Sequence, residues 1–280
     1  MAGDPGAEAA VRVAARGFTF DVRAGGPADG EPILLLHGFP QHSAEWDLVV
    51  PHLHAAGLRT YALDQRGYSA GARPSGAAAY TLAELVADAV AVLDALGLES
   101  AHVCGHDWGA MVAWALAGAH PDRVRSLTAV SVPHPRAMGW ALRNDRDQRR
   151  RSSYILLFRR RFLAEAVLLA FRGRALRTML IGARADLYVS RMRERGALTA
   201  ALNWYRAPAS LQTGRIEVPT TLVWSDGDPA LGRAGAERTA RYVTADYRFA
   251  AVNGVDHWVP ERVPQLLADE IIARAGIVTG

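Results

Sequence analysis

An aspartate at a predicted sharp turn is the residue of this chain best suited to chemistry. Residues 101–104 form a short apolar stretch typical of a strand, Gly105-x-Asp107-x-Gly109 follows, and an apolar helical stretch begins at once. This pattern is typical of a nucleophile elbow, the strand-to-helix turn that lifts one side chain into an active site. Glycines flank such a turn because its central residue is strained and because strand and helix pack closely there.

The carboxylate of Asp107 determines which reaction the elbow predicts. A serine needs a base to take its proton, whereas a carboxylate with an ordinary pKa of about 3.9 is already ionised at neutral pH. Asp107 can therefore attack an electrophilic sp3 carbon and form an alkyl ester, which a water molecule must then hydrolyse. The competing interpretation is structural, because aspartate is also common as the N-cap of a helix.

Two polar loops that follow predicted strands support the catalytic interpretation. The predicted strand 220–224 is followed by Asp226 and Asp228, and the predicted strand 247–252 is followed by His257. Loops at the carboxyl ends of parallel strands gather at one edge of a sheet. We expect His257 to activate the hydrolytic water and Asp228 to orient its imidazole. Asp226 competes for the acid role, and Asp228 is preferred because it lies at the loop tip.

The loop after a further predicted strand, 33–36, is expected to contribute to an oxyanion hole. The backbone N–H groups of Phe39 and of Trp108, the residue after the elbow aspartate, are the expected donors. They would hold the negative oxygen that forms on Asp107 as water attacks the ester. The bond between Phe39 and Pro40 is also a candidate cis peptide bond.

These motifs resemble, in type and order, those of α/β-hydrolases of the epoxide hydrolase type. The resemblance is carried by His37-Gly38-Phe39-Pro40, by Leu63-Asp64-Gln65-Arg66-Gly67-Tyr68-Ser69 and by the Gly105–Gly109 elbow, and it covers the chain from about Gly17 onward. It implies an α/β-hydrolase fold, with a mostly parallel eight-stranded sheet flanked by helices and an inserted all-helical cap. It also implies hydrolysis of an epoxide to a vicinal diol, with no cofactor and no metal.

The pattern of strands and helices independently predicts an α/β sheet with an insertion. Predicted strands are 18–22, 33–36, 60–63, 101–104, 126–130, 221–224 and 248–252, and predicted helices are 46–56, 82–96, 108–119, 235–243 and 263–275. The long segment before the strand at 221 shows no strand pattern, and helical periodicity occurs at 154–171, 176–181 and 187–192. We expect a hydrolase core of residues 1–135 and 216–280 and a helical cap of residues 136–215.

Two tyrosines of the predicted cap, Tyr154 and Tyr205, match by resemblance the paired ring-opening tyrosines of epoxide hydrolases. Opening an epoxide produces an alkoxide far more basic than phenolate, and a phenol with a pKa of about 10 can protonate it. The competing interpretation is that both rings pack in the cap with their hydroxyls at the surface. The side chains of Phe39, Trp108 and Trp204 are expected to contact the substrate.

Other function classes remain open from the sequence. Haloalkane dehalogenases share the aspartate elbow with its tryptophan, but they bind halide through an Asn after His-Gly, where this chain has Phe39, or through a Trp in the cap. The fluoroacetate-dehalogenase variant has His-Asp-Arg at the elbow, where this chain has Trp108. A catalytically silent ligand-binding α/β-hydrolase would usually lack part of the triad or oxyanion hole. The absence of an elbow serine disfavours an esterase.

Composition excludes several classes of protein. The 280 residues, half of them hydrophobic, fit one domain plus an insertion. One cysteine, Cys104, excludes an internal disulfide, and no signal-peptide pattern is found at the N-terminus, so we expect a cytoplasmic protein. No apolar run approaches the ~20 residues of a membrane-spanning helix, and nothing resembles a nucleic-acid-binding module. The expected partner is a small apolar epoxide, and the expected assembly is a monomer or homodimer.

Charge is distributed unevenly between the predicted core and cap. Residues 136–215 contain 18 Arg and 5 acidic residues, for a net charge of +13, whereas the remainder has a net charge of −9. All 32 Lys-plus-Arg positions are Arg, which indicates a GC-rich genome and a bacterial source. A basic cap can steer anionic substrates or dock on an acidic surface. The simpler interpretation is a set of solvated, arginine-rich helix faces.

Overall fold

A computed structural model of the protein describes residues 9–180, 184–208 and 213–277. Within them, eight strands form one sheet in the order β1-β2-β4-β3-β5-β6-β7-β8. The strands are β1 (Ala9–Ala15), β2 (Phe18–Gly25), β3 (Glu31–Leu36), β4 (Leu58–Leu63), β5 (Ala101–His106), β6 (Val124–Val130), β7 (Thr220–Ser225) and β8 (Tyr247–Val252). β2 pairs antiparallel with both β1 and β4, and every pairing from β4 to β8 is parallel.

The helices alternate with the parallel strands. They are α1 (Val50–Ala55), α2 (Leu82–Ala95), α3 (Trp108–Ala119), α4 (Pro135–Asn144), α5 (Arg146–Arg151), α6 (Tyr154–Phe158), α7 (Leu163–Leu180), α8 (Ala185–Met192), α9 (Ala197–Arg206), α10 (Arg233–Arg238), α11 (Val259–Arg262) and α12 (Pro264–Ala275). Short 3-10 turns cover Ser43–Trp46, Ala77–Tyr80, Pro121–Arg123 and Thr239–Tyr242.

The central strands are apolar throughout because helices cover both faces of the sheet. In β3, Leu34 and Leu36 point to the face covered by α2, α3 and the insertion. Ile33 and Leu35 point to the opposite face, where side chains of α1 and α12 pack. This is the alternation expected of a strand buried on both sides. The predicted α/β fold with a mostly parallel sheet is confirmed.

Most predicted core elements lie within two or three residues of their positions in the structure. The prediction 108–119 coincides with α3, but the prediction 46–56 was wrong at its start, because α1 begins at Val50. The prediction 235–243 missed the change from α10 to a 3-10 turn at Thr239. Strand β1 was not located, since its sequence is alanine-rich and all but one of its side chains are exposed or half-exposed.

A helical insertion, α4 to α9, separates β6 from β7, as the absence of a strand pattern predicted. The periodicity at 154–171 predicted one helical stretch, but α6 ends at Phe158 and α7 begins at Leu163. Helix α7 is itself interrupted at Ala170–Gly173, where the backbone leaves helical geometry. The prediction 176–181 ends at a residue outside the described part of the chain, and 187–192 lies within α8.

Polar contacts join this insertion to the core. The indole Nε1 of Trp204 on α9 donates to the carbonyl oxygen of Arg66, 3.0 Å away. Other contacts between insertion and core are Arg191 to Asp64 at 3.5 Å, Arg73 to Glu194 at 2.7 Å, Arg184 to Asp47 and Tyr188 to Glu261. Together they hold the insertion over the carboxyl ends of the parallel strands.

Candidate active site

Asp107 lies at a strained turn between β5 and α3. Its φ and ψ are 51° and −119°, a conformation that residues other than glycine rarely adopt. A Cβ atom at Gly105 would lie 2.2 Å from the carbonyl oxygen of Gly109, and one at Gly109 would lie 1.9 Å from that of Leu36. Both glycines are therefore required by close packing. The Asp107 side chain makes no capping hydrogen bond to α3, so the N-cap interpretation is wrong.

The carboxylate of Asp107 is buried between a backbone donor and an imidazole. Oδ1 accepts a hydrogen bond of 2.8 Å from the N–H of Phe39, and Oδ2 lies 3.6 Å from Nε2 of His257. Burial works to raise the pKa of Asp107, but contacts with His257, His106 and the Phe39 N–H outweigh it and lower that pKa below its ordinary value. The group is therefore ionised at neutral pH.

Asp228, rather than Asp226, contacts the histidine. Oδ2 of Asp228 lies 2.7 Å from Nδ1 of His257, and Oδ1 accepts from the N–H groups of Ala230 and Leu231 at 2.7 and 3.0 Å. Asp226 instead accepts from the N–H of Gly254 at 2.7 Å. Asp228 is thus fixed by two backbone donors and directs its remaining oxygen at the imidazole, the arrangement that orients a catalytic histidine.

His257 lies between two carboxylates, one on each ring nitrogen. Burial works to lower its pKa, but the negative charges of Asp228 and Asp107 and the hydrogen bonds to them raise the pKa of His257 well above its ordinary value. The two carboxylates therefore favour the charged form of the imidazole.

Of the two backbone donors proposed for the oxyanion hole, the N–H of Phe39 contacts the aspartate, and the N–H of Trp108 belongs to the next residue in the chain. The Phe39 N–H already contacts Asp107 Oδ1, and Trp108 is the first residue of α3, where N–H groups lie outside the helix's own hydrogen-bond ladder. A Cβ atom at Gly38 would lie 2.4 Å from Cβ of Asp107, so glycine permits the loop to approach this closely. The Phe39–Pro40 peptide bond is cis, as the sequence suggested.

A cavity of about 240 Å³ lies above Asp107, between the core and the helical insertion. Both sequence-predicted tyrosines line it, and their ring centroids are 6.4 Å apart. Burial, followed by the negative charge of Asp107, raises the pKa of Tyr154 and that of Tyr205 far above the ordinary tyrosine value. Both phenols therefore keep their protons and can donate them, and their competing interpretation as surface hydroxyls is wrong.

Of the three aromatic side chains expected to contact substrate, two line the cavity and one does not. Trp108 and Trp204 line the cavity, with ring centroids 5.8 Å apart. Phe39 is not among the residues that line it. Its ring packs against Phe158 and Tyr205, at centroid distances of 5.3 and 5.4 Å. Phe39 thus contacts Asp107 through its backbone N–H, and its ring packs against Tyr205.

A buried pair next to His257, Glu45 and His106, was not predicted from the sequence. Nδ1 of His106 lies 3.4 Å from Oε2 of Glu45, and Nε2 lies 2.9 Å from the carbonyl oxygen of His257. Burial raises the pKa of Glu45 to about 7. The position of His106 beside Asp107 was a signal for this pair, but no local pattern marked Glu45. The pair braces the backbone that carries the catalytic histidine.

Among the described residues, no group of three or more His, Cys, Asp or Glu side chains could hold a metal ion. In the same part of the chain, no helix combines the length and the apolar character needed to cross a bilayer.

Known proteins are similar to this chain in sequence and in fold over most of its length. Residues 31–261 match a family described as the alpha/beta hydrolase fold. The chain is 33% identical to epoxide hydrolase 2 of Caenorhabditis elegans over 86% of this chain and 73% of that protein. It is 32% identical to epoxide hydrolase A of Mycobacterium tuberculosis, over 87% and 89% respectively. The solved epoxide hydrolase A of Mycobacterium thermoresistibile has a TM-score of 0.82 at 26% identity, covering 96% and 98%.

The protein belongs to the α/β-hydrolase superfamily. Within that superfamily it is a hydrolase of the epoxide hydrolase type, as its relatives and its aspartate elbow both indicate.

Proposed function

We propose that this protein is an epoxide hydrolase that converts an epoxide and water to a vicinal diol. The observation that carries the proposal is that one cavity is lined by an ionised elbow aspartate and by two protonated phenols. A carboxylate alone serves any displacement at carbon. The added proton donors suit a leaving group that departs as a basic alkoxide. The named relatives are epoxide hydrolases, which supports the same substrate class.

In the first half-reaction, Oδ2 of Asp107 attacks a carbon of the epoxide ring. Oδ1 is held by the Phe39 N–H, which leaves Oδ2 for the attack. The ring C–O bond breaks, and its oxygen takes a proton from Tyr154 or Tyr205. The product of this step is a hydroxyalkyl ester of Asp107.

In the second half-reaction, His257 activates the water that hydrolyses this ester. Esterification removes the negative charge of Asp107, one of the two carboxylates that raise the His257 pKa. The proton that the imidazole loses restores the phenol that protonated the ring oxygen, and the neutral imidazole can then accept a proton from water, while Asp228 stabilises the cation that forms. The N–H groups of Phe39 and Trp108 hold the oxyanion of the tetrahedral intermediate. Collapse of this intermediate expels the alkoxide of the diol, which takes the proton from His257. Asp107 is left as a carboxylic acid, and it returns to the carboxylate by giving its proton to the imidazole.

The cavity lining favours a small apolar epoxide. Around the two phenols, the wall is made mainly of apolar side chains, and its volume suits a ligand of modest size. These apolar side chains are Met111, Val132, Met138, Leu142, Ile155, Ala207, Ala230 and Leu231. We place substrate binding between this wall, Trp108 and Trp204, and treat residues 136–215 as the cap that closes over the core. The single buried cysteine supports action in a reducing compartment such as the cytoplasm.

The decisive experiment compares a panel of epoxides with a panel of haloalkanes, scoring diol and halide separately. We expect diol from at least one epoxide. In the double variant Tyr154→Phe/Tyr205→Phe, diol formation should fall by ~10²–10⁴, because the alkoxide leaves without a proton. Each single variant should lose less, since one phenol remains.

The matched control is Tyr61→Phe, which removes a hydroxyl from β4, outside the cavity, where it accepts from Arg59. It should form diol at close to the wild-type rate. Wild-type diol formation in the double variant would contradict the tyrosine assignment. Halide release with no activity on any epoxide would instead identify a dehalogenase.

A further inference from the structure

One exposed segment of the insertion combines apolar and basic side chains in an unusual order. Residues 162–171 read Phe-Leu-Ala-Glu-Ala-Val-Leu-Leu-Ala-Phe, with three arginines immediately before them and two just after, at 172 and 174. The segment includes the interruption of α7 and the loop that precedes the helix. Nothing in the proposed reaction requires this surface, so its composition calls for a separate explanation.

The apolar side chains of this segment lie outside the core. Phe171 is 86% exposed and Phe162 is 73% exposed, and Leu163 and Val167 are exposed between them. Leu163 and Val167 are four residues apart and share one face of α7. On the neighbouring helix α6, Leu156 is 70% exposed. We name these five residues (Leu156, Phe162, Leu163, Val167 and Phe171) the apolar cap face.

The backbone helps to present this face to solvent. Phe162 has a φ of 67°, and the interruption of α7 places Phe171 and Arg172 at φ of 48° and 59°. Non-glycine residues adopt this left-handed region at a cost in energy. Meanwhile Ala164 and Leu168, on the other face of the helix, are buried. The helix thus packs one apolar side inward and leaves a second apolar side open.

The arginines around the face have no acidic partner among the residues that the structure describes. Arg159, Arg160, Arg161, Arg172 and Arg174 are all exposed, and within the described residues none of them forms an ion pair. Arg161 lies over the ring of Phe162, 4.7 Å from its centroid. The one acid of the segment, Glu165, is neutralised by Arg206, with N···O distances of 2.7 and 2.9 Å. The surface therefore presents apolar side chains surrounded by arginines whose positive charge no nearby acid among the described residues neutralises.

We propose that the apolar cap face docks on the surface of an anionic lipid bilayer. The aromatic and aliphatic side chains enter the interfacial region, and the surrounding arginines bind lipid phosphates. Charge decides between this occupant and a second copy of the chain. Two such faces would bring together two insertions that each carry a net charge of +13 over residues 136–215. An anionic bilayer complements both the apolar and the basic character of the surface.

The apolar cap face adjoins the cavity, so docking would bring the cavity close to the lipid. This role for the docking rests on the proposed function. Ile155 and Arg159, on either side of Leu156 and Phe158, both line the cavity above Asp107. Arg159 is also exposed, so the cavity wall and the face meet at α6. An apolar epoxide dissolved in the bilayer would enter the cavity from the docked side.

The test is flotation of the full chain with vesicles. One set is phosphatidylcholine alone and the other contains phosphatidylcholine and phosphatidylglycerol. We expect binding to the anionic vesicles that weakens as salt is added. Arg160→Gln/Arg161→Gln/Arg172→Gln should weaken it by about fivefold for each arginine removed. Phe162→Ser/Phe171→Ser should weaken it by at least about tenfold.

The matched controls are exposed residues that lie outside the insertion, on the hydrolase core. Leu48→Ser/Leu266→Ser changes two other exposed apolar residues, and Arg12→Gln/Arg241→Gln changes two other exposed arginines. Both controls should bind like wild type, and all variants should retain their circular dichroism. No binding of wild type to anionic vesicles, or equal losses in controls and face variants, would overturn the proposal. Dimerisation in ultracentrifugation that Phe162→Ser/Phe171→Ser abolishes, without vesicle binding, would assign the face to a second copy.

Activity separates this proposal from the proposed function. On a water-dissolved epoxide, the face variants should turn over like wild type, because none of the changed residues lies in the proposed catalytic or binding site. If no epoxide is hydrolysed but vesicle binding depends on the face as described, the proposed function fails and the docking stands. If diol forms and vesicles are not bound, the reverse holds.

Discussion

We expect the charge of Asp107 to control the pKa of His257 during turnover. In the resting site two carboxylates flank the imidazole and raise its pKa. Alkylation neutralises the carboxylate on the Nε2 side, 3.6 Å away, while the one on the Nδ1 side remains. The imidazole then loses part of the stabilisation of its charged form, at the stage when a base is needed.

Titration of His257 in Asp107→Asn tests this coupling, since the amide imitates the uncharged ester. Because the folded-state pKa is raised by both carboxylates, removing one should lower the pKa of His257 toward its ordinary value of about 6.5. The imidazole signal, assigned by its loss in His257→Gln, can be followed by NMR against pH. Asp226→Asn, which lies outside the contact, should leave the titration unchanged. An unaltered pKa in Asp107→Asn would contradict the coupling.

The two half-reactions should separate in His257→Gln. Asp107 remains able to attack, but no base activates water, so the alkyl ester should accumulate. Mass spectrometry of the intact protein should show an increase equal to the mass of the epoxide, located on the peptide that contains Asp107. Asp107→Asn should show no adduct, and Asp226→Asn should turn over without one. A folded His257→Gln protein that carries no adduct, beside an active wild type, would refute the assigned roles.

At the scale of elements, the site depends on how closely β5, α3 and the loop after β3 approach one another. The elbow is narrow because Gly105 and Gly109 face each other and Gly109 faces Leu36. The same close approach brings the Phe39 N–H to 2.8 Å from Asp107. Packing between these elements therefore sets the position of the backbone donor at Phe39 that is proposed for the oxyanion hole.

Gly109→Ala should destabilise the protein, because its Cβ would lie 1.9 Å from the carbonyl oxygen of Leu36. Overpacking of this kind costs roughly 1–3 kcal/mol, and here the obstacle is backbone. Urea unfolding followed by tryptophan fluorescence would measure the change. The control is Gly235→Ala in α10, where the nearest atom to the new Cβ would be a proline side-chain atom 3.3 Å away. Equal midpoints for the two variants would show that the elbow is looser than its geometry indicates.

At the scale of the whole molecule, the insertion carries both proposed proton donors, Tyr154 and Tyr205, so its position relative to the core matters for the proposed reaction. Trp204 is central to this, because it lines the cavity, neighbours Tyr205 in sequence and hydrogen-bonds the core at Arg66. Its ring also lies 5.1 Å from that of Tyr68 and 6.0 Å from that of His37. One side chain thus links the position of a proposed acid to the core.

Trp204→Phe should keep much of this packing and lose the hydrogen bond to Arg66. We expect a loss of roughly 1–3 kcal/mol in unfolding free energy, because a buried acceptor loses its partner. Diol formation should also fall in kcat/KM, since Tyr205 is less well placed. Chemical unfolding and steady-state kinetics would measure both. Trp140→Phe, a half-buried insertion residue with Arg238 over its ring, should change kcat/KM little. Wild-type kinetics in Trp204→Phe would show that this bond does not position the acid.

The sequence alone was sufficient for the fold class, most core strands and the site candidates, because these depend on short-range rules. A strand followed by glycines and a helix predicted the elbow at Asp107, and the alternating order of strands and helices predicted the parallel sheet. The order of polar loops brought His257 and Asp228 into consideration. Each strand, turn or loop pattern lies within a few consecutive residues, and only the order of these patterns spans the chain.

Tertiary structure decided what depends on contacts between distant residues. It selected Asp228 over Asp226, because only the former reaches the imidazole. It turned the Phe39 ring away from the cavity lining and placed Glu45 beside His106, 61 residues apart in sequence. It also divided the predicted helix at 154–171 into α6 and α7, with Phe162 between them at a φ of 67°. Local sequence encodes which elements form, but side-chain partners are fixed only when those elements pack.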